Sequence, residues 1–539
     1  MVLRLFVLLI IAIAAIHTAC PTIDPPSKNL SVYPDLMPYT SAHTTARLLV
    51  SFRGNCTAYS FMATYNGTKL LERPVVWESQ GNYAVTFQLS ALPEGTDVYD
   101  ISCSLTSKQT NDTDTVRLTY SRLDAPSNMI SVNLIKKTFL TKSGDIFIPY
   151  GYSYDYDWLV NQTQSTWDAI AARGFTTVYP RGTPMGITAE WEKLMDAIHL
   201  SGLKVYYSFE DFWHNKTAVA SHMQAFKNHP AVFAWNIGFE EDAKGVQPTE
   251  LKETYRFIKS NDAFHPVTNV LGCMFTSEAF GKTADVAIAA VFPIGIDTNS
   301  CPGPTCACDH CSGAPTDVVN RLKKYNLVNH NLLPIIPMLQ AKGNVQNPTW
   351  KRQPSEIEMK YMVFASILQN VMYGINFSKV PEVSETLFNT TAHMKAQLAS
   401  MISITTNLES SRSIGLLAAD FEISYRAWDE SASDLYMMMA NDNDLSTDVV
   451  VNFKNVNYDA KVQDLLFNDD KDRQVENGKF TEELSGYSVR FFHISHKGTF
   501  PILSTLVTIF GIAVLISLFF VIGRWWHTRK KSRYLVVQN

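Results

Sequence analysis

A (β/α)8 barrel set between two β-sandwich modules, followed by one transmembrane helix, is the fold this sequence predicts. Three observations lead there. Between about residues 129 and 410, short apolar runs alternate with helical stretches eight times over, the pattern of a closed parallel barrel. On either side of that region the chain reads as short strands broken by turn residues. Within it, Pro230-Ala-Val-Phe-Ala-Trp-Asn-Ile-Gly-Phe-Glu240-Glu-Asp242 ends a β-rich run in three carboxylates, and barrels keep their chemistry at the C-terminal ends of their strands.

The first module, residues 21–128, contains the runs Arg47–Phe52, Tyr83–Gln88 and Val98–Cys103. Their alternation and β-branched content predict an immunoglobulin-like sandwich, with Cys56 and Cys103 spaced for an inter-sheet disulfide. In the barrel, residues 129–410, the predicted strands are Asp145–Tyr152, Phe175–Pro180, Gly202–Ser208, Ala231–Gly238, Pro266–Leu271, Asp285–Phe292, Leu333–Leu339 and Tyr373–Phe377. Helices are expected over Ser165–Arg173, Glu190–Leu200, Pro248–Ser260, Thr316–Tyr325 and Glu356–Asn370. The strand runs are apolar on both faces, as strands covered by helices outside and packed side chains inside must be. Residues 411–498 return to short strands, including Asp434–Met439, Asp448–Phe453 and Tyr487–Phe492, and predict a second sandwich.

The ends predict the compartment. Residues 1–20 carry Arg4, an apolar run from Leu5 to Ile16 and small residues before Cys20, the make-up of a signal peptide. Phe500 to Gly523 is an uncharged run long enough to cross a bilayer of about 30 Å, within an expected transmembrane helix over 499–523. Trp525, Trp526 and the basic residues Arg524, Arg529, Lys530, Lys531 and Arg533 follow, so 524–539 reads as a cytoplasmic tail. The bulk of the chain is then extracellular or luminal, at the plasma membrane or in endosomes and lysosomes. Sequons at Asn29, Asn55, Asn66, Asn111, Asn161, Asn215, Asn376 and Asn389 fit a glycosylated ectodomain. In the tail, Tyr534-Leu-Val-Val537 resembles the tyrosine-based sorting signals read by clathrin adaptors. A net charge of −5 with no basic stripe gives no footprint for nucleic acid.

The mouth of the barrel should gather the residues that follow each strand. These are Tyr152, Tyr154, Asp155 and Asp157, then Tyr179 and Arg181, then Glu210, Asp211, Phe212 and Trp213. Glu240, Glu241 and Asp242 come next, followed by Asn269, Asp297, Gln340, Lys379 and Glu382. Trp235 and Phe292 lie within strands that lead there. Rings beside carboxylates and amides suit a sugar, because rings stack on its C–H face while polar groups bond its hydroxyls. A glycosidase needs two carboxyl groups on the same site.

The segments Ala231–Gly272 and Asp285–Ser378 resemble the glycoside hydrolase barrels of the cellulase and β-galactosidase superclan, and a little-characterised branch of it in particular. The resemblance is carried by Trp235-Asn-Ile-Gly-Phe-Glu240, Ala290-Val-Phe-Pro-Ile-Gly295, Cys306-Ala-Cys308-Asp-His-Cys311, Met338-Leu-Gln340-Ala341 and Tyr373-Gly-Ile375. It implies that Glu240 holds the acid/base position. It also marks departures: Phe239 and Glu241 replace an Asp and a Pro, Ala290 and Phe292 an Asp and a Tyr. Gln340 stands where the superclan's nucleophilic glutamate belongs, and an amide cannot form a glycosyl ester. Either Glu210, Asp211 or Glu382 supplies the second carboxyl, or the barrel binds glycans or proteins without hydrolysing them. No cofactor is expected.

Cys273, Cys301, Cys306, Cys308 and Cys311 are expected to supply two disulfides, with one thiol left over, rather than to surround zinc, because the compartment is oxidising. Their connectivity is open. His214, His229 and His265 lack ligand spacing and are expected to be structural, so no metal site is predicted.

Overall fold

The structure is a computed structural model that describes residues 30–496. The stretches 53–57, 77–81, 95, 107–110, 274–275, 297–310, 345, 347–348, 381–382, 407, 411–413, 419–422, 431–433, 454–459, 467–472 and 477 are not described. The signal peptide, the transmembrane helix, the Tyr534–Val537 signal, Asn29, Asn55, Cys56, Cys301, Cys306, Cys308, Asp297 and Glu382 therefore lie outside the described residues. Among the described residues, no helix is long and apolar enough to cross a membrane.

Eight parallel strands close into a barrel in chain order. They are β1 (Tyr150–Asp155), β2 (Thr177–Arg181), β3 (Lys204–Ser208), β4 (Val232–Phe239), β5 (Val267–Leu271), β6 (Val286–Val291), β7 (Ile335–Leu339) and β8 (Ile375–Val380). The helices that follow them are α1 (Gln164–Ala172), α2 (Ala189–Leu200), α3 (Lys216–Phe226), α4 (Pro248–Asn261), α5 (Ser277–Gly281), α6 (Thr316–Val328), α7 (Glu356–Ile367) and α8 (Glu385–Thr405). Capping fixes where several begin. Thr188, Asn215, Ser355 and Ser384 each accept a backbone N–H of the first turn, and Pro248 opens α4 where no N–H is needed. β6, Val-Ala-Ile-Ala-Ala-Val, is buried at every position, as a strand covered on both sides must be.

Two elements depart from the sequence reading. The first strand was expected from Asp145, but Ile146–Phe147 pairs instead with Thr138–Thr141 in a four-stranded sheet that also holds Ile130–Asn133 and Leu36–Met37. Pro149 lacks an N–H and separates that sheet from β1. This small sheet delivers Phe139 and Phe147 to within 5.1 and 5.2 Å of Phe233, whose ring lies 4.8 Å from Tyr206, so phenylalanines pack at the end opposite the mouth. The longest helix, α8, was not anticipated, because its many Thr, Ser and Met positions blur an apolar stripe.

The N-terminal region forms a three-stranded and a four-stranded sheet over one apolar core that includes Leu48, Val50, Phe61 and Ile101. The expected inter-sheet disulfide is not made: Cys103 is a free, buried thiol. Cys103 lies in the strand Val98–Thr106, which pairs with Ala58–Tyr65, Ala63 standing opposite Cys103. Burial, and the nearby Asp114, push the Cys103 thiol far up. The C-terminal strands form a six-stranded and a three-stranded sheet over a core containing Met437, Met439, Val451, Phe480 and Phe492. There Tyr487 lies in a turn with φ 52°, and the last strand runs Val489–His496.

Candidate active site at the barrel mouth

Glu240 follows β4 directly and takes the left-handed conformation, φ 60° and ψ 35°. A non-glycine residue there is strained, and such strain gathers at functional sites. The turn lifts the carboxyl off the strand line and lays its side chain against Gly272, where a Cβ would stand 2.9 Å from Glu240 Cγ. Only a glycine at 272 leaves that space. Glu240 is 4% exposed, and its carboxyl receives no hydrogen bond among the described residues. Burial, then the neighbouring Asp242, push its carboxyl up to about 7, while Arg181, Lys342 and Lys244 pull weakly the other way. Glu240 therefore carries its proton in mildly acidic conditions.

The two acids beside it are occupied. Glu241 is ion-paired with Lys244 at 2.9 Å. Asp242 accepts from Gly272 N at 2.9 Å, Cys273 N at 2.8 Å and Thr276 Oγ1 at 2.6 Å, which ties the turn after β4 to the loop after β5. Burial raises the Asp242 carboxyl as well.

Opposite in character is Glu210, which follows β3. It accepts from Arg181 Nε at 2.7 Å, Gly182 N at 3.3 Å and Tyr179 Oη at 3.4 Å. Arg181 in turn lies 3.5 Å above the Phe239 ring and acts electrostatically on both Glu210 and Glu240. The Glu240 carboxyl is thus raised by burial, while Glu210 is held by a guanidinium that acts on both acids. Asp211 is exposed, and Asp155 is half-buried at the start of a single-turn helix, Tyr156–Val160.

Several other expected ligands of the site point elsewhere. Tyr152 Oη meets Thr391 Oγ1 at 2.9 Å in α8, and Tyr154 stacks on Trp158, so both face the helix layer. Trp235 donates to Asp262 Oδ2 at 2.8 Å and stacks on Phe209, also outside the lumen. Asp262 in turn binds His265 Nδ1 at 2.7 Å, giving that histidine a structural role; His229 likewise pairs with Asp196 at 3.1 Å. Asn269 donates to Thr283 Oγ1 in the turn leading into β6. Trp213 belongs to the apolar core, 8% exposed. The sequon at Asn376 is 1% exposed inside β8, leaving no room for a glycan. Cys273 and Cys311 are disulfide-bonded, though no pairing is defined among the described residues.

Gln340 is the sharpest correction. Its Oε1 accepts from Ile294 N at 2.6 Å, and its Nε2 donates to Ile294 O at 2.8 Å and to Lys342 O at 3.0 Å. Every bond uses the amide's donor and acceptor ends, so Gln340 clamps two loops rather than awaiting a ligand.

Residues missed from the sequence complete the mouth. Lys342 lies 3.7 Å from the Trp350 ring and 4.8 Å from that of Phe292, and Trp350 Nε1 donates to Phe292 O. Lys342 could have been found by reading two residues past Gln340, whereas no periodicity marks Trp350. Tyr206 and Asn376, both buried, line the lumen: Tyr206 Oη and both Asn376 amide atoms lack a well-formed hydrogen bond, although the two side chains are close enough to affect each other.

Comparison with known structures agrees with the architecture. A solved structure described as a glycoside hydrolase matches with a TM-score of 0.50 at 11% identity, covering 70% of this chain and 99% of that one. The barrel is glycoside hydrolase-like. A family 5 glycoside hydrolase from Bacteroides vulgatus aligns at a TM-score of 0.48 and 12% identity, over 69% of this chain and 95% of its own. No protein-family model and no curated protein matches the sequence. At such identities the glycoside hydrolase-like likeness extends to the fold, and the chemistry must be argued from the site itself.

Proposed function

We propose that this protein acts on glycans as a membrane-anchored glycosidase, with Glu240 as general acid and Glu210 as the second carboxyl. The observation that carries the reading is the buried Glu240, its carboxyl pushed up to about 7, with Arg181 ion-paired to Glu210 and acting electrostatically on Glu240 as well. In this mechanism Glu240 gives its proton to the glycosidic oxygen as the C–O bond breaks, Glu210 balances the positive charge developing on the sugar, and a water then bonds to the anomeric carbon and gives a proton back to Glu240. Trp350 and Phe239, both partly exposed, supply ring faces around the sugar.

A proton retained to about pH 7 suits an acidic lumen. The compartment is proposed from the ends of the chain alone: a cleaved signal peptide, an anchor over 499–523 and adaptor-directed routing through Tyr534 and Val537. A second reading, a barrel that binds glycans or proteins without hydrolysis, is favoured by one observation. The nucleophile's place is filled by Gln340, which the loops on either side already use. The test is a panel of chromogenic glycosides offered to the full-length chain between pH 4 and 8, with Glu240→Gln as control. Turnover abolished by that change supports the glycosidase. Saturable glycan binding with no turnover for any substrate supports the second reading.

A further inference from the structure

A cleft of about 410 Å³ lies between α7, α8 and the C-terminal sheets and shares no residue with the barrel mouth. Its size falls within the range of small-molecule sites. Three basic side chains line it, Lys360, His393 and Arg490, and no carboxylate does. Arg490 is offset by two carboxylates, its Nη1 donating to Asp464 at 3.2 Å and its Nε lying 3.9 Å from Glu482, so the cleft's unpaired charge rests on Lys360. Lys360 has no ion-pair partner among the described residues. Apolar surface comes from Phe364, Leu466 and Tyr487, and Tyr487 holds its place in a left-handed backbone turn, φ 52°, with its ring 5.4 Å from that of Tyr361.

A second observation points to a ligand. Ser488, in the same lining, buries its hydroxyl with no hydrogen-bond partner among the described residues. A buried polar atom without a partner calls for an explanation, and a bound acceptor supplies one. We propose that this cleft binds a sugar unit bearing a carboxylate or a sulfate. Lys360 and His393 meet the anion, Ser488 donates to it, and the Tyr487 and Phe364 rings cover the sugar's C–H face. This site is separate from the mouth and does not depend on hydrolysis there.

The test is calorimetric titration of the full-length chain with glucuronic acid, glucose 6-sulfate and glucose. At least one charged sugar should bind, glucose should not, and the two charged sugars distinguish a carboxylate site from a sulfate site. Lys360→Glu should weaken binding at least tenfold, and Ser488→Ala by a smaller factor, with thermal midpoints unchanged. Glu240→Gln should leave it intact, which separates this cleft from the mouth. Glucose binding as tightly as the charged sugars, no binding up to roughly 10 mM, or full affinity in Lys360→Glu would each overturn the proposal. Should Lys360→Glu fail to fold, Ser488→Ala decides: undiminished affinity overturns the proposal and weakened affinity upholds it.

Discussion

Replacing Glu240 by Gln tests the electrostatics of the site separately from any substrate. The carboxyl rises from an ordinary 4.5 to about 7 on folding, first because it is buried and then because Asp242 lies close. Folding therefore raises its proton affinity, and the folded state bears a cost when the group ionises. That cost is absent below pH 4.5, grows as pH rises toward 7 and is complete above it. Its full size is about 3 kcal/mol, from 1.36 kcal/mol for each pH unit separating the folded and unfolded values. Gln is nearly isosteric and never ionises. The difference in stability between Glu240→Gln and wild type should thus grow by up to about 3 kcal/mol between pH 4.5 and pH 8, in favour of the variant. Taking the difference cancels every other titrating group that the substitution leaves alone. Urea unfolding followed by barrel tryptophan fluorescence at several pH values provides the assay. A difference that stays flat from pH 4.5 to 8 would show that Glu240 is not a desolvated acid, and the argument for its catalytic role would fall with it.

Other expectations concern neighbouring parts. If Glu240 is the general acid, kcat/KM should fall as pH rises through about 7, and a profile still rising at pH 8 would contradict the assignment. Gln340→Glu should destabilise the barrel by about 1–3 kcal/mol and create no activity, because a carboxylate cannot donate to Ile294 O and Lys342 O; denaturant midpoints and glycoside assays check both halves. Gly272→Ala should lower turnover at least tenfold in a folded protein, since the new methyl displaces the Glu240 side chain; a full rate would show that its position is not critical. Deleting residues 500–539 should release the protein into the medium, and retention in the membrane fraction would refute the proposed anchor. Glycopeptide mapping should find Asn376 unmodified, with exposed Asn161 and Asn389 available to carry glycans.

The sequence by itself determined the barrel. Strand runs apolar on both faces, punctuated by Gly, Pro and capping Ser or Thr, placed seven of the eight strands to within a few residues and missed only the start of the first, because helix and strand periods and caps are local properties. It also singled out Glu240, since an acid ending an apolar strand is visible without knowing what surrounds it. Which side chains enter the lumen was decided by the tertiary structure. A strand buried on both faces carries no hydrophobic contrast to mark inside from outside. Register shifts between Val205 and Tyr206, and again between Asn236 and Phe239, alter the alternation locally. Trp235 and Tyr152 therefore face the helices, while Tyr206 and Asn376 face the lumen. The roles of the polar residues were settled at the same level. Glu241, Asp242 and Gln340 resemble Glu240 in composition, but their loops consume them in ion pairs and backbone bonds. Of the three acids after β4, Glu240 alone has its carboxyl buried without a hydrogen bond among the described residues, and that difference in solvation, set by contacts distant in the chain, raises its proton affinity.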